Sequence, residues 1–398
     1  MKLVLLTAGS RGDVEPFAAL ARAAQDAGHD AVLIVPRASG ADLSGLTVRE
    51  LDADYSAVIR SQGLSAWAAM RSMNTVVRPI MRSVIVESAR RARDESPDAV
   101  VFHPKVLSGP LVAAALDIPG FLAELVPAVT PTRAFPAAGT VAGSLGPLNR
   151  LTYRAAAGAS ALFRREIAEA ADTLGVAATR GLASRASLVP ISPRILRRPA
   201  DWPDSTVLTG AWNTPSRDRQ NVSPQMEQFL ASGNVLYAGF GSMVSPDPHR
   251  LGAAVVTAAR QRGLRVLIAT GLGAIAVPDG LRGDDVFVTG SVPHDAVLPR
   301  VVAAVHHGGI GTIHAAARAG ATSIVVPFFA DQPYWGARLY REGLSPRPLR
   351  ASRLTARRLG DALDAVHRYA AVNAERAPSI AAEQGTRRAL EVLECAVG

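Results

Sequence analysis

At 398 residues, with 48% hydrophobic and 19% charged side chains, the chain is too long for one ordinary core and too apolar to be disordered, so two domains are the default. No apolar run reaches the length of a membrane span, and the single cysteine, Cys395, excludes an intrachain disulfide and a thiolate metal cage. The net charge of +9 favours anionic partners, but the arginines are dispersed. Even the densest stretch, around Arg347, Arg350, Arg353, Arg357 and Arg358, lacks interleaved aromatics; it reads as a solvated basic face and not as a nucleic-acid groove.

In chain order, KLVLLTA (2–8) is a continuous apolar run, as in a parallel strand covered on both faces, and it reads as a first core strand and not as a signal peptide. The expected location is cytoplasmic. GSRGDVEP supplies a loop, and FAALARAAQDAG has helical spacing that ends at Gly28. DAVLIVP (30–36), LTVREL (46–51), DAVVF (98–102) and GFLAEL (120–125) are further strands, with LVAAAL (111–116) a helix between the last two. Residues 65–93 carry Trp67, Met70, Met73, Val77 and Met81 outside this rhythm. They predict one or two helices whose stripe either fills a core or lines a pocket, since methionine adapts to irregular ligands.

From 191 to 224 Pro, Arg, Asp and Ser accumulate, which reads as a linker around one short strand, TVLTGAW (206–212). Then the rhythm restarts. NVLYAGFGSM (234–243), LRVLIATG (264–271), DVFVTGSV (285–292), VVAAVHH (301–307) and SIVVPFF (323–329) are strands, with helices between them and two or three helices closing the chain. This alternation predicts an α/β fold of two doubly wound parallel sheets whose carboxyl-end loops face a central cleft. The expected division is 1–208, a linker over 209–224, 225–378, and a C-terminal helix over 379–398 that packs back on the first domain.

The stretch VHHGGIGTIHAAARAG (305–320) reads as strand end, glycine turn and helix. Gly308, Gly309 and Gly311 allow close backbone approach, and the helix starting near Thr312 offers unpaired N–H groups to an anionic oxygen. A phosphate cradle competes here with a metal site built on His306, His307 and His314, and with a purely structural core. Asp331 and Gln332 in PFFADQPYWGARLY (327–340) offer acceptors and donors suited to sugar hydroxyls, or Asp331 caps the helix that follows.

HHGGIGTIHAAARAGATSIVVPFFADQPYWGARL closely resembles the donor-binding segment of nucleotide-sugar glycosyltransferases of the two-Rossmann-domain (GT-B) type. LLTAGSRGDVEPFAALA resembles the N-terminal motif of the sterol glucosyltransferases and of the bacterial natural-product branch, including vancomycin-type glycosyltransferases. YAGFGSM and GSVPHDAVLP match the same pattern in the right order, so the resemblance reaches both halves of the chain. It implies an N-terminal acceptor-binding domain and a C-terminal donor-binding domain. It implies that His306 contacts the donor diphosphate, with Gly308, Gly309, Gly311 and Thr312 as the phosphate loop and His307 packing behind. Ser242 reaches the same diphosphate, Ser10 and Arg11 close over it, and Asp331 and Gln332 hold the sugar. Val292 meets the base through its backbone, although Ser291 replaces the aromatic that often stacks there.

Asp13 stands three residues before Pro16, where many relatives carry a catalytic histidine, so the resemblance implies a general base at Asp13. The alternative is that Asp13 caps the helix. LDADY (51–55) contains the Asp-x-Asp of a different glycosyltransferase fold but lies away from the donor motifs. No metal and no bound cofactor are expected beyond the nucleotide sugar as co-substrate. The expected activity is an inverting glycosyltransferase moving a sugar from UDP or dTDP to a hydroxyl of a small apolar acceptor, whose pocket includes Trp67, Met70, Met73 and Phe135. The expected state is a monomer or homodimer. A sterol or lipid glycosyltransferase, a non-hydrolysing nucleotide-sugar epimerase and an inactive helper partner are the alternatives.

Overall fold

In the computed structural model, residues 1–53, 73–178, 184–213, 222–231 and 233–398 are described. The chain separates into two compact units. One comprises Met1–Ala137, Ser144–Thr214 and Gln384–Gly398; the other comprises Ala138–Gly143 and Pro215–Glu383.

The first unit is built on seven parallel strands in the order β3-β2-β1-β4-β5-β6-β7. These are β1 (Lys2–Leu6), β2 (Asp30–Pro36), β3 (Thr47–Leu51), β4 (Ala99–Phe102), β5 (Gly120–Ala123), β6 (Ala186–Val189) and β7 (Thr206–Leu208). The apolar run of β1 is buried from Leu3 to Leu6, as expected of a central strand covered on both faces. Between β1 and β2 runs α1 (Arg11–Asp26), which buries Val14, Phe17, Leu20, Ala21 and Ala24 at helical spacing against the sheet. Helix α1 begins at Arg11, not after Pro16 as the glycine and proline signals predict. Asp13 is its third residue, and the carboxylate completes a capping box with Ser10.

Two other expectations are corrected here. Strand β6, only four residues long, was not anticipated, because ASLV is too brief to show a period. The Pro- and Arg-rich stretch from 191 is folded onto this unit and not a linker: Ile191, Ile195, Leu196 and Trp202 are buried. The helical run over 73–94, α2, alternates wide and α-type turns and buries Val84, Ile85, Ala89 and Ala92.

The second unit has five parallel strands in the order β10-β9-β8-β11-β12. They are β8 (Val235–Gly239), β9 (Arg265–Ala269), β10 (Val286–Thr289), β11 (Ala303–His306) and β12 (Thr322–Val325). Helices α3 (Pro248–Arg260), α4 (Ile310–Arg318) and α5 (Gln332–Arg341) follow β8, β11 and β12 respectively. The last helix, α6 (Gly385–Val397), belongs to the first unit. Its Ala389, Leu390 and Leu393 enter the core beside Phe17 and Trp212, and Glu394 pairs with His29 at 2.8 Å.

In both sheets the strand order reverses at one place. In the first, β1 lies between β2 and β4; in the second, β8 lies between β9 and β11. Loops leaving neighbouring strands in opposite directions open a crevice at such a switch point. The loops after β1 and β4, and those after β8 and β11, therefore mark where each unit is built to hold a ligand.

Candidate active site

In the first unit, Leu6 pairs with Phe102, so the residues after β1 and after β4 emerge side by side. Gly9 turns the chain at φ +138 into Ser10 and α1. A Cβ on Gly9 would stand 2.0 Å from Asp13 Oδ2, so only glycine leaves room for that carboxylate. Asp13 Oδ2 accepts the Ser10 N–H at 2.9 Å and the Ser10 hydroxyl at 3.3 Å. Its Oδ1 accepts from Lys105 Nζ at 2.8 Å and lies 3.4 Å from His103 Nε2. Burial pushes the Asp13 carboxyl up, but the charge of Lys105 leads the opposing influences and the net displacement is downward.

His103 and Lys105 were missed by sequence reasoning. The signal was available: both sit in FHPK at the carboxyl end of the strand beside β1, and Lys105 is one of only two lysines in the chain, with Lys2. Arg11 is exposed and paired to Glu15 at 2.5 Å.

In the second unit, His306 ends β11 opposite Gly239 of β8. The expectation gives the ligand contact to His306 and packing to His307; of the two rings, that of His306 is the more buried. His306 is 0% exposed, because the last strand residue turns its ring into the protein. Its Nδ1 accepts the Gly308 N–H at 3.1 Å, which fixes the neutral form with the proton on Nε2. That Nε2 has no partner among the described residues. His307 is partly exposed at the start of the loop. A Cβ on Gly309 would stand 2.5 Å from its Nε2, and one on Gly241, in the loop after β8, 3.3 Å from its Cε1. Burial lowers the pKa of His306 to about 3 and of His307 to about 4. Gly308 holds φ +91, with Val325 Cγ1 2.6 Å from where a Cβ would be.

Helix α4 starts at Ile310, two residues earlier than the sequence predicts. Its first intrahelical bond runs from Ile313 N–H to Gly309 O at 3.0 Å. The amides of Ile310, Gly311 and Thr312 precede that bond and point out of the helix N-terminus, a ready anion site. Ser242 is partly exposed after β8, and Val292 is partly buried after β10. Val292 packs against a cluster that contains Phe229 and Tyr237. Leu272, after β9, is 61% exposed and its N–H donates to Gly241 O at 3.0 Å. Leu272 is a further apolar side chain at this edge that the sequence did not single out.

After β12, Ala330 takes the left-handed conformation at φ +56, a strained position for alanine. Asp331 follows and accepts the Trp335 indole N–H at 2.9 Å. Gln332 is 4% exposed; its Oε1 accepts the Phe328 N–H at 2.8 Å, and its Nε2 lies 3.2 Å from Met243 Sδ. In this conformation Gln332 braces the loop that presents Asp331. On the acceptor side, Met73 is partly buried at the start of α2, while Trp67 and Met70 lie outside the described residues. Phe135 is 1% exposed and packs edge-on to Trp202 at 6.0 Å, so it belongs to a core and offers no open face. Asp52 of the Asp-x-Asp pairs with Arg37 at 3.1 Å, and Asp54 lies outside the described residues. Among the described residues no group of three His, Cys, Asp or Glu is placed to hold a metal ion. No described helix is long and apolar enough to cross a membrane.

Residues 3–129 match the glycosyltransferase family 28 N-terminal domain, and residues 269–389 match the erythromycin biosynthesis protein CIII-like C-terminal domain. The chain is 32% identical over 426 aligned positions to the O-mycaminosyltylonolide 6-deoxyallosyltransferase of Streptomyces fradiae, covering 99% of this chain and 97% of that one. It is 31% identical over 369 positions to the vancomycin aglycone glucosyltransferase of Amycolatopsis orientalis, covering 86% and 85%. Among solved structures, the glycosyltransferase of kitacinnamycin superposes with a TM-score of 0.75 at 17% identity, covering 100% of this chain and 99% of that one.

Proposed function

The chain belongs to the GT-B nucleotide-sugar glycosyltransferases, and from that premise we propose that it inverts the anomeric centre as it moves a sugar from UDP or dTDP to a hydroxyl of a small apolar natural product. The observation that carries this reading is Asp13, an ionised carboxylate held at the switch point of the first unit. The acceptor is assigned to that unit and the donor to the second.

Asp13 takes the proton of the acceptor hydroxyl as that oxygen attacks the anomeric carbon. The bond from that carbon to the diphosphate oxygen breaks on the opposite face, and the electron pair leaves with the nucleoside diphosphate. A carboxylate is a weak base for an alcohol, so proton transfer comes late, when the oxygen is already bonding to carbon. The amides of Ile310, Gly311 and Thr312, the dipole of α4 and the Nε2 of His307 receive the charge that grows on the diphosphate. His306 sits beneath and holds the loop through Gly308. Asp331 meets the sugar hydroxyls, with Gln332 as its brace. Ser242, Val292 and Leu272 meet the nucleotide.

The test is a panel of aglycones incubated with labelled UDP- and dTDP-sugars, with NMR assignment of the product anomer. Product with inverted configuration is expected. No turnover and no hydrolysis of any donor, or a product of retained configuration, counts against the reading.

A further inference from the structure

A base that takes a proton from an alcohol must be ionised before the acceptor arrives. The surroundings of Asp13 meet this need with two residues that neither the sequence motif nor the resemblance assigns. Lys105 Nζ lies 2.8 Å from Oδ1, with the lysine side chain 43% exposed and that of Asp13 21% exposed. His103 lies behind them, 5% exposed, with Nε2 3.4 Å from the same oxygen.

The tautomer of His103 follows from geometry. The Lys105 backbone N–H donates to His103 Nδ1 at 3.0 Å, and a backbone amide has no other role than donor. His103 is therefore neutral, with its remaining proton on Nε2, facing Asp13. Phe17 of α1 fixes the other side of the ring, at 6.2 Å between centroids. The two residues act as one piece, since the amide that sets the imidazole belongs to the residue that supplies the ammonium. The remaining charged groups near Asp13, on its own helix, are Arg11 and Glu15, and they satisfy each other. From the loop after β1 only Thr7 and Ser10 contribute: the Thr7 hydroxyl donates to the Asp13 carbonyl at 2.8 Å and Ser10 donates to Oδ2.

We propose that Lys105 is the counter-ion that holds Asp13 ready as a base, and that His103 is a positioning residue that orients both. This rests on the reading of Asp13 as the base. It adds that the acid side of the reaction's pH profile is set by Lys105. With the ammonium removed, the Asp13 carboxyl loses its main stabilising charge and keeps its burial, so it holds its proton to higher pH.

The experiment has two readouts on the full chain. In the first, the Asp13 carboxyl is titrated by carbon-13 NMR, assigned by its loss in Asp13→Asn, in wild type, Lys105→Met and Lys105→Arg. In the second, kcat/KM is measured against pH for the same three proteins, together with nucleoside diphosphate affinity. Lys105→Met is expected to raise the Asp13 pKa by about one unit or more, and Lys105→Arg to restore most of it, because it keeps the charge. The acid limb of kcat/KM moves with the pKa. An Asp13 pKa that stays put in Lys105→Met overturns the proposal, as does a collapse of diphosphate affinity, which makes Lys105 a phosphate ligand instead. An Asp13 pKa that rises while the acid limb stays where it was supports the ion pair and removes Asp13 as the base, so the two readings fail separately.

Discussion

His307 and Gly309 occupy interlocking space: a single Cβ on Gly309 would stand 2.5 Å from His307 Nε2. The backbone of Gly309 is ordinary, at φ −65 and ψ 139, so an alanine there is tolerated by the chain but not by the ring. Gly309→Ala is expected to push the imidazole off its position while leaving the thermal midpoint within a few degrees of wild type. Nucleoside diphosphate affinity, read by calorimetry, should fall about tenfold or more, the loss expected for one hydrogen bond to a charged group. Wild-type affinity in that variant would show that His307 does not meet the phosphates.

Asp13→Asn tests the base directly. The amide keeps an oxygen for the Ser10 N–H but cannot take up a proton at neutral pH. General-base catalysis contributes about 10²–10⁴-fold, so kcat should fall by at least about 100-fold. Donor affinity should remain within about twofold, since the donor is assigned to the other unit. Retained turnover assigns the base elsewhere.

The alternation of strands and helices was legible because buried parallel strands write continuous apolar runs, as in Leu3–Leu6 and Ala303–Val305. Strand β6 was not legible, being four residues long and followed directly by Pro190. The start of α1 was misplaced because Gly12 and Pro16 are loop signals. The capping box of Ser10 and Asp13 outweighs them, and the helix carries Pro16 in its interior, where the bond to the Gly12 carbonyl is given up. At the second site the glycines and histidines were found, but not which ring is the more buried. Which of two adjacent histidines turns inward depends on where the strand ends, and one residue of difference exchanges the faces. The partners of Asp13 lie about ninety residues away in sequence and become neighbours only through the pairing of β1 with β4.

Acid should weaken this fold early. Burial keeps His103, His306 and His314 neutral down to about pH 3 and His307 down to about pH 4. In the unfolded chain each takes a proton near about 6.5. Below that pH the unfolded state binds more protons, so stability present above it is lost as pH falls, about 1 kcal/mol per pH unit for each histidine. Glu124 works in the other direction, because burial raises its pKa and its protonated form favours the fold, but it is one group against four. The thermal midpoint should drop steadily between pH 7 and pH 5. A flat profile across that window would mean these imidazoles are already charged, or exposed, in the native state.

Glu124, just after β5, ties down the segment that leads toward the expected acceptor side. It is 0% exposed; Oε2 accepts the Val129 N–H at 3.0 Å and the Thr130 N–H at 3.1 Å, and Oε1 accepts the Thr130 hydroxyl. Removing the carboxyl takes the acceptor from the N–H and hydroxyl of Thr130, which is buried, and each stranded group costs about 1–3 kcal/mol. Glu124→Ala should therefore lower unfolding stability in urea by about 3 kcal/mol. Glu124→Gln should cost under about 1 kcal/mol, since one amide oxygen can still accept both N–H groups while its nitrogen donates to the Thr130 hydroxyl oxygen. In transfer assays Glu124→Ala should raise the acceptor KM and leave nucleoside diphosphate affinity alone. Equal destabilisation by Ala and Gln would instead mean that the charge of Glu124, and not its hydrogen bonds, holds the segment in place.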